Sequence, residues 1–340
     1  MKEDVPPDLP FSVLDLATVV EGKTPADAFR HSLELAQLAE ELGYRRFWLA
    51  EHHNTVSVAS SATAVLIGYI AGGTASIRVG AGGIMLPNHS PLIVAEQFGT
   101  LETLYPGRID LGLGRAPGTD QLTAMAIRGS RFNAAEDFPQ DVIQLQTYFS
   151  TENSTAKVRA IPGEGADIPI WILGSSTDSA HLAAELGLPY AFASHFAPAQ
   201  FLTAISIYRQ KFRPSKHLAD PYVMACVNGV GAATDDEAAW LATSLQQFFK
   251  GVATGQRRRL QPPVDPASDL LTSYEAALVN QMLAVSFIGG PDKIERELKA
   301  FIGETRVNEI MIASHIFDHQ ARLDSFRLFA KVLKNLCKKS

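Results

Sequence analysis

The sequence predicts an α/β fold in which parallel strands form a closed barrel inside a layer of helices. Short apolar runs alternate with helical segments over most of the chain, which is the order that builds a parallel sheet through right-handed crossovers. Eight such runs occur, and eight strand–helix units are the number that closes a TIM-type barrel. The predicted strands cover residues 11–16, 46–50, 77–82, 108–114, 168–173, 189–194, 222–230 and 308–313.

The helices are predicted from their caps and from one-sided apolar patterning. The first begins at Thr24, whose hydroxyl is a good N-cap, has Pro25 in its first turn and ends at Gly43. Its apolar positions repeat at three- and four-residue spacing, so they form one stripe that faces the barrel. Comparable segments cover residues 59–72, 91–105, 138–149, a stretch that ends at 186 before Gly187, 198–212 and 321–336.

One segment, residues 234–286, departs from this regular alternation. It opens with a helix start at Thr234 and contains the run Arg257-Arg258-Arg259 and the pair Pro262-Pro263. We interpret it as an insertion between the seventh and eighth predicted strands of a single barrel domain that spans residues 1–340. A run of three arginines is most often solvated or anchors a loop, so the sequence assigns this run no function.

Composition restricts the class of protein. The 340 residues are 46% hydrophobic and 19% charged, which suffices for a large core and excludes a disordered chain. The net charge of −6 disfavours a nucleic-acid partner, because such proteins concentrate basic residues on one face. Residues 1–8 lack an apolar signal core, no apolar run is long enough to span a bilayer, and Cys226 and Cys337 have no metal-binding spacing. We therefore expect a cytoplasmic enzyme without a metal, a membrane contact or a nucleic-acid partner.

Glu51-His52-His53 directly follows the second predicted strand, where parallel barrels place catalytic groups. Successive strand residues point to opposite faces, so only one of the two histidines can face the barrel mouth unless the strand has already turned. An imidazole there can accept or donate a proton near neutral pH. Two alternatives stay open: a metal site, although no HExxH or CxxC partner is present, and simple hydrogen bonding to loop backbone.

Glycines and one arginine follow the third and fourth predicted strands. Gly82-Gly83 removes side chains at a strand end, which lets a flat group approach the backbone; a bulge or a strained turn is the alternative. The fourth strand runs through Gly112 and Gly114 to Arg115, and a guanidinium at a strand end suits a phosphate or a carboxylate. This run is not a dinucleotide fingerprint, because it lacks the third glycine and enters a proline.

The fifth predicted strand ends in Gly174-Ser175-Ser176, and Ser179 lies in the first turn of the following helix. Hydroxyls and free backbone N–H groups at a helix start form an anion site, although serine is also a common N-cap. Arg115 on the neighbouring strand makes phosphate binding the favoured interpretation. The sixth and the last strands end in Ser194-His195 and Ser314-His315, but a serine hydrolase is disfavoured because no Gly-x-Ser-x-Gly elbow is present.

Taken in this order, the motifs resemble those of the bacterial luciferase-like flavin monooxygenases. The branch that they resemble most closely is that of single-component luciferase-like oxidoreductases of unassigned substrate. Each motif alone is weak, but the set is specific and covers nearly the whole chain. The matching segments are residues 12–15, 48–53, 79–87, 112–119, 174–176, 193–196 and 317–319.

The resemblance implies an eight-stranded barrel that binds FMN at its carboxyl-terminal face. Gly82-Gly83 would lie against the flavin ring, often through a cis peptide, and His52 would act as a catalytic base or stabilise the oxygenated flavin. His195 is the second predicted catalytic residue, and residues 234–286 would be a mobile cover that keeps water out. The predicted cofactor-binding residues are Gly82, Gly83, Arg115, Gly174, Ser175, Ser176 and Ser179.

The resemblance also implies a small organic substrate, O2 and a separate reductase that supplies reduced FMN. Luciferases proper carry a cysteine where this chain has Gly114 and a glutamate where it has Ser175, so light emission is not expected. Two alternatives use the same scaffold: a deazaflavin-dependent dehydrogenase and a flavin-binding homologue without turnover. The segment 59–70 is apolar or small nearly all around, which predicts a homodimer, and the family dimerises through the helices after strands two and three.

Overall fold

The structure is a computed structural model that describes residues 5–129 and 135–338. Its strands are β1 (Phe11–Asp15), β2 (Arg46–Leu49), β3 (Arg78–Met85), β4 (Ile109–Gly114), β5 (Ile170–Gly174), β6 (Tyr190–Phe192), β7 (Val223–Gly231), β8 (Ser286–Gly289) and β9 (Glu309–Ala313). Eight of them form a closed parallel ring in the order β1-β2-β3-β4-β5-β6-β7-β9, with β9 paired back to β1. The predicted (β/α)8 barrel is confirmed. The prediction that residues 1–8 lack an apolar signal core falls partly outside the described residues, because residues 1–4 are not described.

Helices cover the outside of the ring. They are α1 (Pro25–Glu41), α2 (Thr63–Gly72), α3 (Pro91–Leu104), α4 (Gln121–Arg128), α5 (Phe138–Phe149), α6 (Thr177–Leu186), α7 (Phe201–Lys211), α8 (Asp235–Thr254), α9 (Ser273–Met282), α10 (Pro291–Thr305) and α11 (His319–Lys338). The predicted cap of α1 is confirmed, because the Thr24 hydroxyl accepts from the Asp27 N–H while the Asp27 carboxylate accepts from Thr24. None of the helices in the described residues is long and apolar enough to cross a membrane.

The extra strand β8 lies outside the ring, and the sequence does not predict it. It pairs with Asn228–Gly231, the part of β7 that extends past the barrel. The predicted bounds of the insertion, residues 234–286, stop where β8 begins. The insertion contains α8 and α9 and continues through β8 and α10 before β9 closes the ring. With four residues, of which two are buried and two are partly exposed, β8 is too short for its pattern to be distinguished from a loop.

The helix predicted from residue 59 begins only at Thr63. The residues before it take part in backbone hydrogen bonds instead. The Ala59 N–H donates to the Ala17 carbonyl at 3.1 Å, and the His52 N–H donates to the Ser60 carbonyl at 3.0 Å. These bonds hold the segment against the ends of β1 and β2. The segment therefore forms a loop, although its small residues have a helix-like pattern.

Strand residues alternate between the inside and the outside of the barrel. Phe47 and Leu49 belong to the apolar layer between the strands and the helices, whereas Trp48 points inward. Inside the ring, Trp48 and Trp171 meet edge to face, with their centroids 5.2 Å apart. All four residues of β2 are buried, as the apolar run that begins at Phe47 predicts for the last three. Side chains therefore fill the inside of the barrel at this level.

Candidate active site

A cavity of about 530 Å3 opens at the carboxyl ends of the barrel strands. Its volume lies in the range of small-molecule sites, and its wall is mostly apolar with a few polar groups. Residues at or just beyond the ends of seven ring strands line it, together with residues of the following loops and of the insertion. The lining includes Leu14, His52, Gly82, Arg115, Gly174, Ser175, Ser176, Ser179, His195 and His315 from the barrel and Phe248, Phe249, Val252, Arg257 and Arg258 from the insertion.

His52 is the member of Glu51-His52-His53 that lines this cavity. Its Nδ1 is buried and has no hydrogen-bond partner within the described chain. Burial, with a smaller effect from the positive charge of Arg257, lowers the pKa of His52 to about 4. The imidazole is therefore neutral at physiological pH, and it can donate a hydrogen bond from one nitrogen and accept one at the other.

Glu51 and His53 have a structural role in the same loop. The buried Glu51 carboxylate accepts hydrogen bonds from His53 Nε2 at 2.8 Å, His89 Nε2 at 2.9 Å and the Met85 backbone N–H at 3.0 Å. Burial raises the pKa of Glu51, but the hydrogen bonds from His53 and His89 outweigh it and lower that pKa to about 2. Loop hydrogen bonding thus accounts for His53, whereas His52 is left facing the cavity.

Gly82 and Gly83 form the floor at the end of β3, and the peptide bond between them is cis. Gly82 lines the cavity, and Gly83 is buried behind it. A Cβ at Gly82 would lie 2.8 Å from the Leu14 side chain, and one at Gly83 would lie 2.7 Å from the Gly112 carbonyl oxygen. The register between β3 and β4 also shifts here, so the bulge alternative is correct as well. Packing requires both glycines, and their bare backbone is what a flat ligand would meet.

Arg115, Ser175 and Ser176 come together on one side of the cavity, as predicted. Ser176 is the N-cap of α6, but its hydroxyl makes no capping hydrogen bond, which leaves it able to bind an anion with the helix start. Arg115 Nη2 lies 3.1 Å from Asp178 Oδ2, and the two side chains are 50% and 67% exposed. Exposed ion pairs of this kind are weak, so a phosphate could replace Asp178 as the partner of Arg115 at little cost.

Ser179 and Gly174 support this turn from behind. The Ser179 hydroxyl donates to the Ser176 carbonyl at 2.8 Å and lies 2.9 Å from the Tyr190 hydroxyl. A Cβ at Gly174 would lie 1.7 Å from Ser179 Oγ, so the strand end needs glycine to admit that serine. Both residues line the cavity. Their contacts within the turn make them positioning residues for Ser175 and Ser176.

Two further imidazoles, His195 and His315, are buried in the cavity wall. The Nδ1 of His195 and both ring nitrogens of His315 have no hydrogen-bond partner among the described residues. Burial, together with the charges of neighbouring groups, lowers the pKa of each to about 3, so both are neutral at physiological pH. Residues 5–129 and 135–338 contain no cluster of three or more His, Cys, Asp or Glu side chains that could hold a metal.

The insertion contributes an apolar wall and two cations. The His315 ring packs against Phe248 of α8, with the centroids 4.3 Å apart, and Phe249 and Val252 extend this surface. Arg257 and Arg258, which the sequence leaves without a function, also line the cavity. His315 could have been found from its Ser-His pair, which repeats the pair at His195. The two arginines had no such signal, because their position depends on how the insertion folds back.

A mostly apolar cavity with a few polar groups on the carboxyl face of a (β/α)8 barrel is typical of a barrel enzyme. A family model described as luciferase-like monooxygenase matches residues 9–308, and the chain belongs to this family of oxidoreductases. It is 55% identical over 329 residues to the uncharacterized protein YvbT of Bacillus subtilis (strain 168), covering 96% of this chain and 98% of that one. A luciferase-like monooxygenase of Escherichia coli (strain K12) is 50% identical over 326 residues, covering 96% and 97%.

A solved structure, that of apo-MsnO8, has the same fold over nearly the whole chain. The TM-score is 0.86 at 36% sequence identity, covering 96% of this chain and 98% of that one. The resemblance drawn from the motifs at the strand ends is thereby confirmed at the level of the family.

Proposed function

We propose that this protein is a monooxygenase that uses reduced FMN to transfer one oxygen atom from O2 to a small organic substrate. The observation that carries the proposal is that one cavity brings together Arg115 and the Ser175-Ser176 turn with three neutral imidazoles whose buried nitrogens have no partner among the described residues. Buried polar atoms in folded proteins are nearly always paired, so imidazoles that line a cavity and keep unpartnered nitrogens favour bound water or a ligand next to them.

FMN fits these residues in three respects. Arg115, Ser175 and the start of α6 offer a guanidinium, hydroxyls and backbone N–H groups to a phosphate. Gly82 offers bare backbone to a flat ring. The imidazoles offer donors and acceptors to the polar edges of that ring, and His52 is one of them.

Bound reduced FMN would supply the two electrons that activate O2. The protein's part is to exclude water, to orient the reactants and to hold a proton near the reacting atoms. Phe248, Phe249 and Val252 give the cavity an apolar side, which limits water at the reaction centre. His52 is neutral, so it can accept a proton from the reacting group or donate a hydrogen bond to it without a cost for neutralising a cation. We further propose that a separate reductase supplies the reduced flavin.

A thioether is the substrate class that a named relative favours. The N-acetyl-S-alkylcysteine monooxygenase of Bacillus subtilis (strain 168) is 44% identical over 187 residues, covering 54% of this chain and 56% of that one. Oxidation of a thioether would consume O2 and reduced FMN and give the sulfoxide, water and oxidised FMN. The mostly apolar wall of the cavity accommodates the alkyl groups on such a sulfur.

The fold by itself does not select the cofactor. An oxygenating constituent of 3,6-diketocamphane monooxygenase in complex with FMN and an F420-dependent secondary alcohol dehydrogenase both reach a TM-score of 0.70, at 17% and 16% identity. The choice of FMN rests on the compact anion site at Arg115. A deazaflavin carries a longer anionic tail, for which Arg257 and Arg258 at the mouth offer further basic contacts, so titration with both cofactors decides between them.

Cofactor titration and isotope incorporation test the proposal together. We expect FMN or its reduced form to bind at micromolar concentration and F420 to bind more weakly. With reduced FMN, 18O2 and N-acetyl-S-methylcysteine, we expect a sulfoxide that carries one 18O atom. If neither oxidation state of FMN binds, the cofactor assignment is wrong. If FMN binds and 18O enters no product across a thioether, aldehyde and ketone panel, the monooxygenase assignment loses its support.

We also propose a homodimer formed through α2 and α3. Val65 and Tyr69 lie one turn apart on α2 and are 72% and 43% exposed, and Ile93 on α3 is 46% exposed. Large apolar side chains at this density on neighbouring helices are most simply covered by a second copy across a two-fold axis. Light scattering at micromolar concentration should give twice the monomer mass. Val65→Glu together with Ile93→Glu should give the monomer, whereas a wild-type monomer would contradict the proposal.

A further inference from the structure

Charge is distributed unevenly around the cavity. Its lining contains three arginines, Arg115, Arg257 and Arg258, and no Asp or Glu from the described residues. The histidines that line it are neutral at physiological pH. The cavity therefore has an excess of positive charge, although the whole chain carries a net charge of −6. A lining of this kind favours an anionic ligand and steers it towards the mouth.

Arg257 and Arg258 are exposed at the mouth, and within the described ranges neither forms an ion pair. The segment that carries them is nevertheless fixed. Leu260 is buried, its N–H donates to the Val19 carbonyl at 2.9 Å, and its carbonyl accepts from the Glu21 N–H at 2.8 Å. These bonds hold the chain against the loop that follows β1. The backbone that carries the two guanidinium groups is therefore anchored beside the cavity, and neither group has an ion-pair partner among the described residues.

The position of this segment separates it from the phosphate-type site. Arg115 and Ser175 follow β4 and β5, whereas Leu260 is bonded to the loop after β1, which lies across the ring from β5. Arg257 is instead close enough to His52 for its charge to lower the pKa of that imidazole. A phosphate held at Arg115 would thus leave Arg257 and Arg258 available to another anion on the side of His52.

We propose that Arg257 and Arg258 form a subsite for the carboxylate of an otherwise apolar organic substrate. Its role as a substrate subsite rests on the proposed function. Paired guanidinium groups match a planar carboxylate through parallel N–H donors. The apolar body of the substrate would lie against Phe248 and Phe249, which belong to the same insertion. The insertion then sets which acids enter, while the barrel provides the chemistry.

A matched pair of small probes tests this subsite directly. Hexanoate and hexanamide have the same alkyl chain and differ in charge at one end. We would measure the binding of each to the full chain by ligand-observed NMR and calorimetry, with and without saturating FMN. Wild type should bind hexanoate about tenfold more tightly than hexanamide, which is the usual size of one charge-assisted hydrogen bond partly screened by water. The difference in affinity between hexanoate and hexanamide should be smaller at high salt.

Variants assign the preference to particular side chains. Arg257→Gln with Arg258→Gln should abolish the preference for hexanoate and leave the binding of hexanamide unchanged, and the double lysine variant should retain part of it. Arg259→Gln is the matched control, because Arg259 is an adjacent exposed arginine that does not line the cavity. Equal binding of the two probes by wild type would overturn the subsite. So would a preference that survives the double glutamine variant, or an equal loss in Arg259→Gln.

Cofactor binding distinguishes the carboxylate subsite from the proposed FMN-dependent function. FMN and riboflavin differ by the phosphate, so each variant is also titrated with both. If the double glutamine variant weakens FMN but not riboflavin, the two arginines bind the cofactor phosphate and the substrate subsite is wrong. If FMN fails to bind wild type while the hexanoate preference still depends on Arg257 and Arg258, the proposed function fails and the carboxylate subsite stands.

Discussion

The two ends of the barrel differ in how their buried polar groups are hydrogen-bonded. At the amino end, Arg46 donates to Glu309 at 2.9 Å and to Asp110 at 2.8 Å, and Arg78 also donates to Asp110 at 2.7 Å. At the carboxyl end, His195 and His315 are just as buried, yet they keep ring nitrogens without a partner in the described chain. The charged groups of this amino-end network are paired with one another, although Trp171, whose ring Arg46 packs against, keeps its Nε1 without a partner among the described residues. The histidines at the carboxyl end keep hydrogen-bonding capacity beside a cavity, where a ligand can use it.

The difference separates stability from function. A buried hydrogen-bonding atom without a partner costs about 1–3 kcal/mol, so a fold retains several of them only where something else supplies the bonds. Barrels of this type carry their chemistry at the carboxyl end and their structural networks at the amino end. The contrast predicts that substitutions at the amino end act on unfolding, whereas substitutions at the carboxyl end act on ligand binding and rate.

The largest effect is expected from Asp110→Ala at the amino end. Removing this carboxylate leaves Arg46 and Arg78 without their shared acceptor in a buried site, which should lower the free energy of unfolding by about 3–5 kcal/mol. Urea denaturation measures it. Asp324→Ala is the control, since Asp324 pairs with Arg327 on an exposed helix face and should cost less than about 0.5 kcal/mol. A loss below about 1 kcal/mol for Asp110→Ala would mean that the network adds no stability.

The next effect is expected on turnover, from His52→Ala at the carboxyl end. FMN affinity should stay nearly unchanged, because neutral imidazole contacts are minor beside a phosphate site. Turnover with reduced FMN should fall by about a hundredfold, the usual contribution of a positioned acid or base. His53→Gln is the matched control, because His53 is bonded to Glu51 and does not line the cavity. Equal losses in the two variants would remove the special role of His52.

More of the fold than of the candidate site could be predicted from the sequence, and the reason is physical. Ring strands such as β2 are buried on both faces, so their apolar runs are unbroken and can be counted. His52 was predictable because it lies only three residues after Leu49, the last residue of β2, so the strand end fixes its position. The strand β8 was missed because its four residues are too few to show a pattern. Arg257 and Arg258 were missed because their position depends on Leu260, whose partners are far away in sequence.

A third prediction concerns acid stability and the buried histidines. The pKa of His195 and of His315 is lowered from about 6.5 to about 3 in the folded chain, so the unfolded chain binds more protons between these values. The stability that each neutral imidazole contributes is complete above pH 6.5 and is lost as the pH falls towards 3. As the pH falls from 7 to 5, the loss of this contribution should lower the free energy of unfolding by roughly 2 kcal/mol for each histidine.

Histidine variants test that window. His195→Gln and His315→Gln should each flatten the loss of stability between pH 7 and pH 5, whatever they do to stability at pH 7. His181→Gln, at an exposed position on α6, should leave the slope unchanged. Denaturant titrations at several pH values supply the measurement. If the slope is the same in all four proteins, the two cavity histidines are not held neutral by burial.

The smallest effect is expected from Arg115→Ala, and it has the clearest chemical control. Arg115 is 50% exposed and already paired with Asp178, so exchanging that partner for a phosphate should contribute about 1.5 kcal/mol, the low end for a charged hydrogen bond. Fluorescence titration should show weaker binding of FMN and unchanged binding of riboflavin, which lacks the phosphate. Asp178→Ala should strengthen FMN binding slightly, since it removes the competing carboxylate. If Arg115→Ala weakens FMN and riboflavin equally, Arg115 acts on the ring or on the fold, and the phosphate must lie elsewhere at the barrel mouth.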